Sequence, residues 1–554
     1  MTCKGNIYVG ATSLRTCLGD KHQTGEAMEK GESGLIYNNL FTMHTGIADI
    51  VPVDGFTRFE SIMIEQIESV LEQSGISLSN KDVQLVISTT KGNVDMLADD
   101  CEEINDKAFL YRSAEAISAY FNSANSPIVV SNACISGISA FVVAKEFIHS
   151  GKCKHVILAG GDVLCEFITS GFASFKSVSA KPCRPYDAER DGLTLGEAAG
   201  AVLLTSDTAF ADSALIRLAG GAISNDANHI SGPSRTGDGL YYAIRNAMQE
   251  AGLTKEDIGF VNAHGTATRY NDEMESKAMA WAELCDKPLN SLKGYIGHTL
   301  GASGVVETIL CVEQLKLGYI YGTAGFVSSD TPHKLNVSSN RQHITRKCCV
   351  KTGSGFGGCN AAVVLDMERR ECVVEAPQIV QREPVVAAEY KLEKCSKPFA
   401  DYIRAQYKLL GDSNIKFYKM SDMSKALYVA VENLLAEEGW GDVEPVRRAI
   451  ILANSSSSLD ADIVHQKILN QNLPEGASPA AFVYTLANVP AGEMCIRHKI
   501  QGENTFFIEN VDSGFVYEYA GNIIRQDCAD AVICGWCDYL KGNWNVNVKL
   551  LKLK

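Results

Sequence analysis

The 554-residue sequence contains no apolar run approaching the roughly eighteen residues that a bilayer-crossing helix needs, so no membrane span is expected. It also lacks a stripe of clustered lysine and arginine. Its 51 basic residues are outnumbered by 66 acidic ones, and the net charge of −15 argues against nucleic acid as a partner. An acidic chain can still meet an acidic partner through a local basic patch, whose place no sequence motif marks. The opening Met-Thr-Cys-Lys-Gly-Asn-Ile-Tyr-Val-Gly has no charged-then-apolar layout of a secretory signal. The expected location is the cytoplasm. Low-complexity and disorder-prone composition is absent too: 46% of the residues are hydrophobic, ample for a large core. Cysteine, by contrast, is plentiful. Many of the 18 cysteines sit in apolar runs, as Cys311, Cys348 and Cys349 do, where a reduced thiol behaves as a small hydrophobe.

A chain of this length suits two or three domains. Up to about residue 366, apolar strand-like runs alternate with helical patterns. Lys81–Ser88, Pro127–Ser131, His155–Ala159, Ala199–Leu204 and Ala361–Leu365 read as buried strands, and Ser61–Leu71 as a helix ending near Gly75. Such alternation predicts a layered α/β architecture. From Glu368 to about Glu393 charged and proline-containing segments suggest a linker. A helix over Ser421–Glu438, a strand over Arg448–Ala453 and strands near Phe506 and Ala531 follow.

One pattern occurs twice. Pro127-Ile-Val-Val-Ser-Asn-Ala-Cys-Ile-Ser-Gly137 leads through a helix to His155-Val-Ile-Leu-Ala-Gly-Gly-Asp162. Thr505-Phe-Phe-Ile-Glu-Asn-Val-Asp-Ser-Gly514 leads through a helix to Ala531-Val-Ile-Cys-Gly-Trp-Cys-Asp538. Superposing Gly137 on Gly514 puts Val511 where Cys134 stands, so the last 150 or so residues read as a partial copy of the N-terminal half without its cysteine.

Cys134 follows an apolar strand and precedes a helix rich in small residues. The partial positive charge of a helix N-terminus there favours a thiolate, and small neighbours allow a sharp turn. Two histidines stand beside glycines at the ends of apolar stretches, where loops present functional groups. They are His264 in Val261-Asn-Ala-His-Gly-Thr-Ala-Thr268 and His298 in Lys293-Gly-Tyr-Ile-Gly-His298.

Together with Cys183-Arg-Pro-Tyr-Asp187, Gly196-Glu-Ala-Ala-Gly200 and Gly355-Phe-Gly-Gly358, these motifs resemble, in order and over residues 5 to 366, the β-ketoacyl-acyl carrier protein synthases. The resemblance implies a thiolase-like fold, two similar α/β halves around a central helical layer, in a homodimer. It implies the elongating Cys-His-His subgroup, which joins an acyl group held on cysteine to a decarboxylating malonyl thioester. By the same resemblance Cys134 is the nucleophile, and His264 and His298 promote decarboxylation and hold the enolate oxygen. Lys293 orients the site electrostatically. The backbone N–H groups of Cys134 and Phe356 form the oxyanion hole, and the Phe356 ring gates the acyl pocket. Thr266 and Thr268 hydrogen-bond the phosphopantetheine arm, which arrives on acyl carrier protein, Gly357 is a further substrate-binding residue, and Glu275 is a buried structural acid. No cofactor or metal bound to the enzyme itself is expected. Ile135, where a small polar residue is common, and Ala198, where glycine is, depart from the pattern. The expected organisation is 1–210 and 211–366 for the two synthase halves, 367–399 for the linker, and 400–554 for a degenerate half-domain that acts structurally. The rival reading is a non-catalytic partner subunit of the chain-length-factor kind, which keeps the fold and loses the cysteine.

Three other motifs carry less. Gly353-Ser-Gly-Phe-Gly-Gly358 matches a dinucleotide fingerprint but is followed by a strand instead of a helix. Cys534-Gly-Trp-Cys537 has redox spacing without a helix after it. Cys359, a candidate second cysteine of degradative thiolases, reads as a packing residue.

Overall fold

A computed structural model describes residues 5–98, 101, 103–368, 382–471 and 476–554. Each repeat of the chain builds one sheet of the same pattern. In the first, strands Tyr8–Thr16, Ala198–Thr205, His155–Asp162, Val83–Ser88 and Ile128–Val130 lie side by side, the first two contacts antiparallel and the last two parallel. The second runs Arg217–Asn225, Cys359–Asp366, Cys348–Gly355, Phe260–Asn262 and Pro288–Asn290 with the same alternation, and Asn336–Val337 adds to its edge. The third runs Pro384–Lys391, Asn543–Leu553, Ala531–Leu540, Arg448–Asn454 and Asn504–Ile508.

Continuous apolar strands need cover on both faces. Helices Ser136–His149 and Ser303–Leu317, buried along almost their whole length, fill the space between the first and second sheets. Arg58–Ser74 covers the outside of the first sheet and Asp238–Ala251 the outside of the second. The result is the five-layered α/β arrangement of a thiolase-like fold. The two central helices meet backbone to backbone: a Cβ on Gly137 would stand 2.8 Å from the Gly304 Cα, and one on Gly304 2.3 Å from the Ile138 nitrogen. Only glycine allows that approach, and it brings the two helix N-termini together.

The third sheet joins the first edge to edge. Asn504–Ile508 pairs antiparallel with Ile128–Val130, Phe507 opposite Val130 and Ile508 opposite Val129, so the first and third sheets are continuous. The repeat also shows in its polar fixings. Asp162 accepts from the Thr89 hydroxyl at 2.8 Å and the Thr90 hydroxyl at 3.0 Å; Asp538 accepts from the hydroxyls of Ser455, at 2.5 Å, and Ser456.

The segment read as a linker over 367–399 differs. Residues 369–381 lie outside those described, but Pro384–Lys391 is a strand that pairs with Asn543–Leu553 and takes the place in the third sheet that Tyr8–Thr16 holds in the first. Its flanking prolines and charges hid a short edge strand, which needs little burial and tolerates proline at its start. Cys534 and Cys537 lie in strand Ala531–Leu540. Three apart, they face opposite sides of the sheet and belong to different parts of the core, so they cannot act as a redox pair. Gly353–Gly358 spans a hairpin between strands Cys348–Gly355 and Cys359–Asp366. No helix among the described residues is long and apolar enough to cross a membrane.

Candidate active site

Cys134 sits in a single tight turn, Ala133–Ile135, that opens the helix Ser136–His149. His298 precedes the matching turn, Leu300–Ala302, that opens Ser303–Leu317. Each turn holds a non-glycine residue at positive φ, Ala133 at 47° and Leu300 at 53°, a strained conformation that surrounding packing must enforce. Ser136 fixes the first turn, its hydroxyl donating to the Ala133 carbonyl at 2.6 Å and accepting from the Asn132 N–H at 2.8 Å. The Cys134 sulfur and a ring nitrogen from each of His264 and His298 all lie within 4.8 Å of one another, and the imidazoles meet edge to face, centroids 5.1 Å apart.

His264 is placed by Glu275, which accepts from its N–H at 2.8 Å, from the Gly265 N–H at 2.7 Å and from the Tyr186 hydroxyl at 2.9 Å. Glu275 thus pins the turn that carries His264. His298 Nδ1 accepts from the Leu300 N–H at 3.3 Å and lies 3.1 Å from the Ser303 hydroxyl. With Nδ1 an acceptor, the neutral ring carries its proton on Nε2, a donor. Burial, then the charge of Lys293, holds both histidines well below the usual range, so both are neutral near pH 7.

Lys293 is fully buried and donates to Glu307 at 2.6 Å; Lys351, equally buried, pairs with the other Glu307 oxygen. Burial alone would raise Glu307, and the two ammoniums outweigh it and hold its carboxyl low. Glu307 and Lys351 were not singled out in the sequence. Their signal was a lone charge in an apolar run, in Val305-Val-Glu-Thr-Ile and Cys349-Val-Lys-Thr, since a buried charge requires a partner. Asp162, which the sequence marks only as the end of the repeated pattern, is buried and accepts from the Gly301 N–H at 2.7 Å, tying the first sheet to the His298 turn.

Burial pushes the Cys134 thiol up to about 12, against the pull of Lys293 and of the Cys134 and Phe356 N–H groups. The helix N-terminus, which favours a thiolate, does not decide the state of this thiol. A helix end contributes at most ~2 kcal/mol and is outweighed here by desolvation. Near pH 7 burial therefore favours the thiol form of Cys134.

A cavity of about 220 Å3 lies in front of Cys134, lined among others by His264, His298, Thr266, Thr268 and Phe356. Thr266 and Thr268 share a hydroxyl–hydroxyl hydrogen bond of 2.9 Å in its wall. Cys359 borders the cavity as well and is 1% exposed within the core, as a packing residue would be. Phe356 closes the far side, its ring 6.1 Å from Phe172 and 5.3 Å from Phe175. Gly357 beside it adopts φ of 91°. Beyond that aromatic wall Cys134 borders a second space of only about 20 Å3, room for about one water, closed by Lys91, Phe482 and Leu486. Phe482 and Leu486 come from the third repeat. Val511, where that repeat aligns with Cys134, is 64% exposed and forms no such site.

Residues 16–209 match the β-ketoacyl synthase N-terminal domain and residues 215–327 the C-terminal domain. The chain is 34% identical over 254 residues to 3-oxoacyl-acyl-carrier-protein synthase 2 of Rhizobium meliloti, covering 43% of this chain and 59% of that protein. It is 33% identical over 262 residues to the tetracenomycin polyketide synthase ketoacyl synthase alpha subunit of Streptomyces glaucescens, covering 45% and 62%. The chain thus spans roughly half to three-fifths of the length of the curated relatives it matches. Among solved structures, the PfaC keto synthase–chain length factor superposes with a TM-score of 0.79 at 15% identity, over 99% of this chain and 78% of that one, a likeness of fold that includes the third repeat. With both domain matches covering more than half of its length, the chain belongs to the β-ketoacyl synthase family.

Proposed function

We propose that the protein is a 3-oxoacyl-acyl carrier protein synthase in fatty acid, polyketide or polyene-like lipid synthesis, and that acyl carrier protein delivers both substrates on phosphopantetheine. The observation that carries this reading is the convergence of one thiol and two neutral imidazoles within 4.8 Å, in a cavity walled off by Phe356.

In the first step the Cys134 sulfur attacks the acyl thioester. The tetrahedral oxyanion takes hydrogen bonds from the N–H groups of Cys134 and Phe356, and the departing pantetheine thiol leaves with the proton Cys134 gave up. This exchange is proton-neutral and suits a nucleophile that rests as a thiol. In the second step the malonyl thioester loses carbon dioxide. The enolate oxygen accepts from Nε2–H of His298 and from His264, which as neutral donors stabilise charge without needing protonation. The carbanion then attacks the acyl carbon on Cys134, a carbon–carbon bond forms, and Cys134 leaves and regains a proton from solvent. The buried Lys293–Glu307–Lys351 group adds positive potential behind the imidazoles. That potential favours anions and opposes capture of a metal cation by the same Cys-His-His donors.

Residues 384–554 act as a fixed companion to the catalytic repeats. The edge of Ile128–Val130 is already paired within the chain, so a homodimer, which the family resemblance implies, has to form on another surface. Incubation with hexanoyl- and malonyl-carrier protein tests the reading: 3-oxooctanoyl-carrier protein is expected from the unaltered chain and none from His264→Ala or His298→Ala. Equal product from all three would remove the histidines, and the mechanism, from consideration.

A further inference from the structure

The third repeat has lost its own nucleophile, yet it touches both backbone segments whose N–H groups face the Cys134 sulfur. Beneath the nucleophile turn, the Asn132 amide donates to the Asn504 carbonyl at 2.7 Å, and the Asn504 amide donates to the Ser224 carbonyl at 3.0 Å. Beneath the second segment, the Asn488 amide donates to the Phe356 carbonyl at 2.8 Å and approaches the Cys359 sulfur at 3.6 Å.

The placement of Asn488 is unusual for its residue type. It stands at the N-cap of helix Val489–His498, where an asparagine side chain ordinarily accepts from its own helix; here it makes no such bond. It is 2% exposed and its Oδ1 has no partner, so the side chain gives up its cap and an acceptor to hold one carbonyl in another repeat. Backbone contact reinforces the hold. A Cβ on Gly492, in the same helix, would stand 2.7 Å from the Gly357 carbonyl oxygen and 2.9 Å from its Cα. A Cβ on Gly357 itself would stand 2.6 Å from the Asn488 amide nitrogen. On the other side, Gly357 donates its N–H to the Ile230 carbonyl at 2.6 Å and accepts from the Asn225 amide at 2.9 Å. The Phe356–Gly357 peptide is therefore clamped between the second repeat and the helix that Asn488 opens.

We infer that Asn488 is a positioning residue of the condensing reaction: through the Phe356 carbonyl it aims the Phe356 N–H at the acyl oxyanion, so the third repeat completes the oxyanion hole of the catalytic ones. The inference rests on the condensing function proposed above and extends it to a residue outside the matched synthase domains. An oxyanion donor displaced by about 1 Å costs on the order of a hundredfold in rate. Decarboxylation draws on the histidine pair and not on this N–H, so the two half-reactions separate.

The test follows both half-reactions in the full-length chain with small probes. Transfer from hexanoyl-pantetheine to Cys134 is timed by intact mass, and malonyl-pantetheine decarboxylation by released carbon dioxide. Asn488→Asp keeps the shape and removes the donor; Gly492→Ala presses on Gly357 from the same helix and serves if the first variant folds poorly. Both are expected to slow acyl transfer by about a hundredfold and leave decarboxylation within about threefold. Unchanged transfer in a folded Asn488→Asp chain, or an equal fall of both half-reactions with the melting temperature, overturns the inference and leaves the condensing function standing. Absence of both half-reactions in the unaltered chain overturns that function instead.

Discussion

Val130 and Phe507 face each other across the antiparallel contact between the first and third sheets. In the alignment that places Gly137 on Gly514, Phe507 is the counterpart of Val130. Each residue pairs with its own equivalent, as a two-fold axis between related units demands. The third repeat thus stands to the first as a second subunit would, but within one chain. Removing it uncovers the Ile128–Val130 edge and the apolar surfaces beside it, a template for aggregation. A chain ending at residue 368 is therefore expected to be insoluble or heavily aggregated by size-exclusion chromatography and inactive in condensation. A monodisperse, fully active truncated chain would show that residues 384–554 are dispensable.

The contact between repeats also contains a buried ion pair. Lys91, from the first, donates to Asp462 of the third at 2.7 Å and to the Ser458 hydroxyl at 3.2 Å, and its ammonium lies 5.3 Å over the Phe167 ring. Both charges are about 5% exposed or less. Losing one partner strands the other, which costs about 3–5 kcal/mol, whereas replacing both with apolar groups is near neutral. Urea unfolding should show Asp462→Leu strongly destabilised and Lys91→Met with Asp462→Leu largely restored. Additive losses would mean that the pair is not coupled.

Most of the architecture was legible in the sequence because its strands are continuous apolar runs with sharp ends: His155–Asp162 and Arg448–Asn454 fall within one to three residues of their expected limits. The helix expected over Ser61–Leu71 is longer, Arg58–Ser74, because Thr57 and Glu60 form a capping box at its start and Gly75 caps its end. The approach of Cys134, His264 and His298 was readable only through motif resemblance, since no local pattern brings together residues 34 to 164 positions apart. Pro384–Lys391 was missed because an edge strand lacks the apolar density of a central one. Asn488 carried no signal at all: its meaning comes from the carbonyl it reaches, in a repeat 132 residues away.

A thiol raised by burial to about 12 ionises little at neutral pH. A group with that value gains thiolate in proportion to hydroxide, so alkylation of Cys134 by iodoacetamide should climb about tenfold per pH unit from pH 7 to 10 without levelling. A plateau near the ordinary thiol value of about 8.5 would contradict the burial argument. Malonyl decarboxylation should stay flat from pH 8 down to about 6. Its histidines are held neutral well below the usual range and lose donor balance only at more acid pH.

Glu307 pairs with two buried ammoniums at once, Lys293 and Lys351, through its two oxygens. Glu307→Gln leaves them facing a neutral amide. The expected cost is about 3–5 kcal/mol of stability in chemical unfolding. Adding Lys351→Met to that variant should recover part of the loss, and no recovery would mean the two lysines do not share the carboxylate.

Whether Cys134 carries the acyl group is decided by the intact mass of the protein after exposure to acyl-loaded carrier protein. A gain of one acyl group is expected, mapped to the peptide containing Cys134 and discharged when malonyl-carrier protein is added. No acylation of Cys134 by any acyl donor would contradict it and leave the chain a scaffold built on the synthase fold.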